Sequence, residues 1–131
     1  MQKTYLRCRE CKKEYDSTFK YICDECFGPL DVHYHFPSLT KNTFVNREQT
    51  YWRYFELLPI TDKSNIVSIN AGMTPLVKAE KLGKEIGLNN LYIKNDSVNP
   101  TFSFKDRPAG VAVSKAKEFG LASVGCASTG N

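Results

Sequence analysis

Long apolar runs are missing from this 131-residue sequence, and so is a large surplus of charge of one sign. No stretch approaches the ~18 to 20 apolar residues that cross a bilayer, so no membrane-spanning segment is read. Met1-Gln2-Lys3-Thr4 leads into no signal-peptide apolar core, and the expected compartment is therefore cytoplasmic. There is no internal repeat and no low-complexity tract. A hydrophobic content of 41% beside 24% charged residues is too apolar for a disordered chain and fits one ordinary domain or two small ones. The net charge is only +4, and residues 1–35 hold six basic and six acidic side chains. Such a neutral segment offers no stripe to follow a phosphate backbone, which argues against a nucleic-acid partner.

Four of the five cysteines lie within the first 26 residues, among turn residues and charges that could not bury much of a core. A cross-link or a metal must hold that segment. Cys8-x-x-Cys11 and Cys23-x-x-Cys26 form two knuckles separated by the eleven residues Lys12 to Ile22. Each knuckle puts two thiolates on one tight turn, and four thiolates make a tetrahedral shell suited to zinc. In a cytosolic chain this spacing favours a metal over a disulfide pair or free thiols, and rubredoxin-like iron would use the same ligands. A closed four-sulfur shell leaves no position for water or substrate, so the metal is expected to be structural. His33 and His35 alternate along a strand and read as one exposed face, and Cys126 reads as a small strand residue.

Residues 37–70 read as a connector in which Tyr51, Trp52, Phe55 and Leu58 share a helical face that Pro59 ends. From residue 71 onward helices and short strands alternate, the pattern of a parallel sheet covered by helices. Val77 to Ile86 predicts a helix stopped by Gly87, Leu91 to Lys94 a strand, and Phe104 to Phe119 a longer helix with Ser103 as N-cap and Gly120 past its end. Ala122 to Ala127 predicts a second strand, followed by the polar turn Ser128-Thr129-Gly130-Asn131. Two parallel strands alone would leave open edges, so the sequence reads as the N-terminal part of a larger domain.

Two short segments carry chemistry. Asn99 to Arg107 joins the first of these strands to the long helix, where ligands of α/β folds collect. A lysine at a helix start faces the positive end of the dipole, and an uncharged amine is what attacks an aldehyde. Taken alone, Lys105 also fits a solvated surface side chain. Ser128, Thr129, Gly130 and Asn131 supply hydroxyls, a permissive glycine and backbone N–H groups for a carboxylate or phosphate.

Three ordered runs, AGMTPLVKAEKLGKEIG, LYIKNDSVNPTFSFKDR and CASTGN, closely resemble the threonine synthases, within the tryptophan-synthase-β (fold type II) family of pyridoxal-phosphate enzymes. CRECKKEY and CDECFGPLDV resemble the zinc-ribbon extension of one branch of those enzymes, and WRYFELLP resembles its connector. The resemblance implies a zinc ribbon over residues 1–36, a connector over 37–70 and the incomplete start of a catalytic domain over 71–131. It implies that Lys105 forms the Schiff base with pyridoxal phosphate and moves protons. Asn131 would bond the cofactor's 3′-oxygen, Phe104 would pack beside the cofactor, and Ser128 to Asn131 would hold the substrate carboxylate. Asp106 and Arg107 would shape the helix start. Where family members usually have glycine, this chain has Phe102 and Pro108, and Ala71 stands where an acidic residue is common, which bears on pocket shape.

The implied reaction turns O-phospho-L-homoserine and water into L-threonine and phosphate, the cofactor ring serving as electron sink. A homo-oligomer is implied at full length, and the 131-residue piece alone is expected to be inactive. Cysteate synthase, using O-phosphoserine and sulfite, shares the scaffold. A non-catalytic zinc-ribbon interaction module is the rival of a different class.

Overall fold

A computed structural model of the chain describes residues 4–127. Strands β1 (Thr4–Cys8), β2 (Glu14–Asp16) and β3 (Leu30–Tyr34) form an antiparallel sheet in the order β2-β1-β3. Alternation fixes its faces: Thr4, Leu6 and Cys8 are buried, while Tyr5 and Arg7 are half-buried on the other side. On that outer face the Tyr5 ring lies 5.3 Å from His33 and 4.8 Å from His35, so the two histidines share a side as their alternation predicts.

The connector holds a short helix α1 (Asn42–Val45) and a 3₁₀ segment, Tyr51–Leu57, kinked at Tyr54, in place of one regular helix. Its apolar residues are the core. Tyr51, Trp52, Ile60 and Ala71 are buried together, with Phe55, Leu58, Ile66, Ile69 and Val111 packed against them. Ile60 is fully enclosed, a burial worth about 1.5 to 3 kcal/mol.

Beyond residue 75 the structure departs from the sequence reading. The predicted helix over Val77 to Ile86 is a strand β4 (Leu76–Lys78) followed by a shorter helix α2 (Glu80–Glu85). The reason is a pairing that helical periodicity does not reveal: Val77 lies opposite Ile93 on strand β5 (Tyr92–Lys94). β4 and β5 run antiparallel, and among the described residues no strands pair in parallel. Residues 122–127 form no strand, since no described segment offers them a partner. The long helix α3 (Asp106–Glu118) is present, beginning after Lys105 in place of Ser103.

Both ends of α3 are tied to the rest of the chain. At its carboxyl end, Glu118 accepts the Thr61 and Asp62 amides at 2.8 and 3.1 Å and pairs with Lys115 at 2.6 Å. Midway, the buried Ser114 hydroxyl accepts the Val67 amide at 2.9 Å. The Phe19 ring of the cysteine-rich segment meets Phe119 edge-on at 5.8 Å.

Candidate functional site

The two cysteine knuckles are built alike. In the first, the Cys8 amide donates to the Lys13 carbonyl (2.9 Å) and the Cys8 carbonyl accepts from Lys12 (3.2 Å). In the second, the Cys23 amide donates to Gly28 (2.9 Å) and the Cys23 carbonyl accepts from Phe27 (3.1 Å). Each turn closes through a left-handed residue just after its second cysteine, Lys12 at φ 65° and Phe27 at φ 58°. Gly28 is required by close approach: a Cβ there would stand 2.8 Å from Glu10 Cγ and 3.0 Å from Cys8 Sγ.

The four sulfurs lie within 4.8 Å of one another, with Cys8 and Cys26 at 3.4 Å and Cys11 and Cys23 at 3.5 Å. These separations exceed the ~2.05 Å of a disulfide. They are close to the ~3.8 Å edge of a tetrahedron with metal–sulfur bonds of about 2.3 Å. Cys8 and Cys23 are buried, whereas Cys11 and Cys26 are exposed.

Burial pushes the Cys23 thiol up, but the Tyr15 hydroxyl and the Cys26 and Glu25 amides outweigh it and bring it down to about 6. The Lys13 amide pulls the Cys11 thiol down, yet the neighbouring sulfurs and burial push it up to about 12. Four thiolates in so small a volume need a cation, and this donor set fits a structural metal ion. Tyr15, which the sequence reading passed over, has its hydroxyl 3.0 Å from Cys23 Sγ and accepts the Asp24 amide at 3.1 Å.

Lys105 is the residue immediately before α3, and it is exposed. Its amide donates to Ser103 Oγ at 3.3 Å, and its carbonyl accepts from Ala109 at 3.0 Å. Phe104, its neighbour in sequence, and Phe102 are 62% and 78% exposed. Phe102 adopts a left-handed φ of 59°. A primary amine on an exposed residue at a helix start fits a carbonyl-bearing cofactor. Ser128, Thr129, Gly130 and Asn131 lie outside the described residues.

Behind Lys105 stands a polar cluster that the sequence reading did not assemble. Buried Asp106 accepts the Thr101 amide (2.8 Å) and the Thr101 hydroxyl (2.6 Å). Arg107 makes a two-pronged pair with Asp96 at 2.6 and 2.8 Å, and Thr74 donates to the same carboxylate at 2.7 Å. The Arg107 guanidinium and the Thr74 hydroxyl hold the Asp96 carboxyl down at about 2. Its distance of eleven positions from Arg107 hid this pair, since only neighbours at helical or strand spacing are legible in sequence.

Comparisons with known proteins place part of the sequence beside named relatives. Residues 67–131 match the family described as pyridoxal-phosphate dependent enzyme. Threonine synthase of Methanocaldococcus jannaschii is 45% identical over 130 residues, covering 95% of this chain and 32% of that protein. Threonine synthase of Methanosarcina acetivorans is 42% identical over 130 residues, covering 97% and 32%. That of Halalkalibacterium halodurans is 47% identical over 78 residues, covering 60% and 22%. The chain thus spans about a third of the length of the first two of these curated relatives. No solved structure matches significantly. The stretch from residue 67 to 131, which includes the lysine just before α3, is thus similar in sequence to the pyridoxal-phosphate dependent enzymes.

Proposed function

We propose that this chain belongs to a threonine synthase that converts O-phospho-L-homoserine and water to L-threonine and phosphate. The observation that carries the reading is the similarity to threonine synthases along 130 residues, cysteine knuckles included. Pyridoxal phosphate, when bound, supplies a ring that accepts electrons from the substrate's carbon atoms. In this reading Lys105 Nζ anchors that cofactor and carries protons to and from the substrate. Phe104 packs beside the ring, and Ser128, Thr129, Gly130 and Asn131 orient the substrate's carboxylate and the cofactor's 3′-oxygen. Residues 1–36 are a ribbon held by one structural zinc on Cys8, Cys11, Cys23 and Cys26, residues 37–70 connect it, and residues 71–131 carry the lysine and the anion turn. The enzyme is a cytoplasmic homo-oligomer.

Borohydride reduction of the whole protein loaded with pyridoxal phosphate, followed by peptide mapping, tests the assignment. The adduct is expected on Lys105 and absent from Lys105→Ala. An adduct that persists in that variant, or threonine and phosphate output that survives it, overturns the reading.

A further inference from the structure

The first turn of α3 is held from outside the helix. Asp96 sits at the start of the 3₁₀ turn Asp96–Val98, and its carboxylate engages both arms of the Arg107 guanidinium and the Thr74 hydroxyl. Arg107 also donates to Thr74 Oγ1 at 3.2 Å, and Lys94 Nζ donates to the Thr74 carbonyl. The same turn holds Asn99, which is 2% exposed: its Oδ1 accepts the Gly72 amide and its Nδ2 donates to the Asp96 carbonyl, each at 2.9 Å. Three segments, residues 72–74, 94–99 and 107, therefore meet at one carboxylate.

The pair closes residues 96–107 into a ring that contains Lys105. Within it lies the smaller closure of Thr101 onto Asp106. Two parallel charge-assisted hydrogen bonds fix direction as well as distance, which a single point contact does not. Both side chains of the pair are 29% exposed, enough burial to hold them in register. Lys105 lies inside the ring, two residues before its clamped end at Arg107.

We infer that Asp96 is a positioning residue for Lys105, acting through Arg107 and Thr74 to aim the amine from the first turn of α3. This inference rests on the proposed role of Lys105 as the cofactor lysine. It gives the Asp96–Arg107 pair a task besides stability: pre-setting the amine so that its reaction needs no reordering of the turn.

The test compares Asp96→Asn, Arg107→Gln and Arg107→Lys in the whole protein. Two quantities are read: the rate of the borohydride-trapped adduct with pyridoxal phosphate at Lys105, and hydrogen exchange at the Ala109 amide, which donates to the Lys105 carbonyl. Asp96→Asn and Arg107→Gln are expected to slow adduct formation at least tenfold and to speed Ala109 exchange, with metal content unchanged. Arg107→Lys, which keeps the charge and loses the fork, is expected to recover part of the rate. Wild-type rates and wild-type exchange in Asp96→Asn overturn the inference. Equal loss in Arg107→Lys and Arg107→Gln, tracking lost melting temperature alone, overturns it too. A wild type that forms no Lys105 adduct defeats the cofactor reading, and Ala109 exchange then still decides whether the brace exists. Should Asp96→Asn not fold, Arg107→Lys decides.

Discussion

A Cβ at Gly110 would stand 2.5 Å from the hydroxyl of Tyr51. The connector ring thus lies directly on the second turn of α3, with no room for a side chain between them. Gly110→Ala forces this contact apart and is expected to destabilise the protein by about 1 to 3 kcal/mol, the usual cost of overpacking. Removing the obstructing atom relieves it, so Tyr51→Phe combined with Gly110→Ala should regain part of the loss. Denaturant melts of the two single variants and the double variant measure that coupling.

The metal site makes a prediction of its own. One zinc per chain is expected by elemental analysis, and chelation is expected to unfold the three-stranded sheet, because its small buried set cannot stand alone. The Tyr15 hydroxyl bonds the Cys23 sulfur, so Tyr15→Phe should weaken zinc binding about 10- to 100-fold in competition with a coloured chelator. Unchanged affinity would show that the tyrosine takes no part in ligation.

Acid should loosen the carboxyl end of α3. Burial pushes the Glu118 carboxyl up, but Lys115 and the Thr61 and Asp62 amides outweigh it and hold it at about 2. This lies below the ~4.3 of an unfolded glutamate, so the stabilisation is complete above a pH of about 5 and is lost as pH falls toward 2. Glu118→Gln is expected to be less stable than wild type at pH 7 by roughly 1 to 3 kcal/mol, with the gap closing in strong acid. Thermal melts of both proteins across that range check the sign.

Phe102 should prove dispensable for stability. It holds a left-handed φ of 59° with its ring 78% exposed, so it bears backbone strain with little packing in return. Phe102→Gly is expected to raise stability by about 0.5 to 1 kcal/mol in a denaturant melt.

What could be read from the sequence followed the range of the interactions. The knuckles were legible because each is a local turn that repeats the same cysteine spacing, and α3 because Val111, Ala116 and Phe119 keep helical period. Val77 misled, since a three-residue strand shares its apolar content with a helix start and only Ile93, sixteen positions on, decides between them. The clamp of Asp96 on Arg107 and the bond of Tyr15 to Cys23 were hidden for the same reason. Each joins residues that do not lie on one helix or strand, and the chain path alone brings them together.

Because Glu118 moors one end of α3 to the connector and Asp96 the other to the turn behind Lys105, the helix works as a lever with two bearings. Its 13 residues make an arm about 20 Å long, on which a tilt of roughly 3° at the Glu118 end carries the Lys105 end through about 1 Å. A misplacement of that size is enough to slow a reaction about a hundredfold. The Phe19 ring rests on this lever at Phe119, so the segment that carries the four cysteines bears on the end of the arm remote from Lys105.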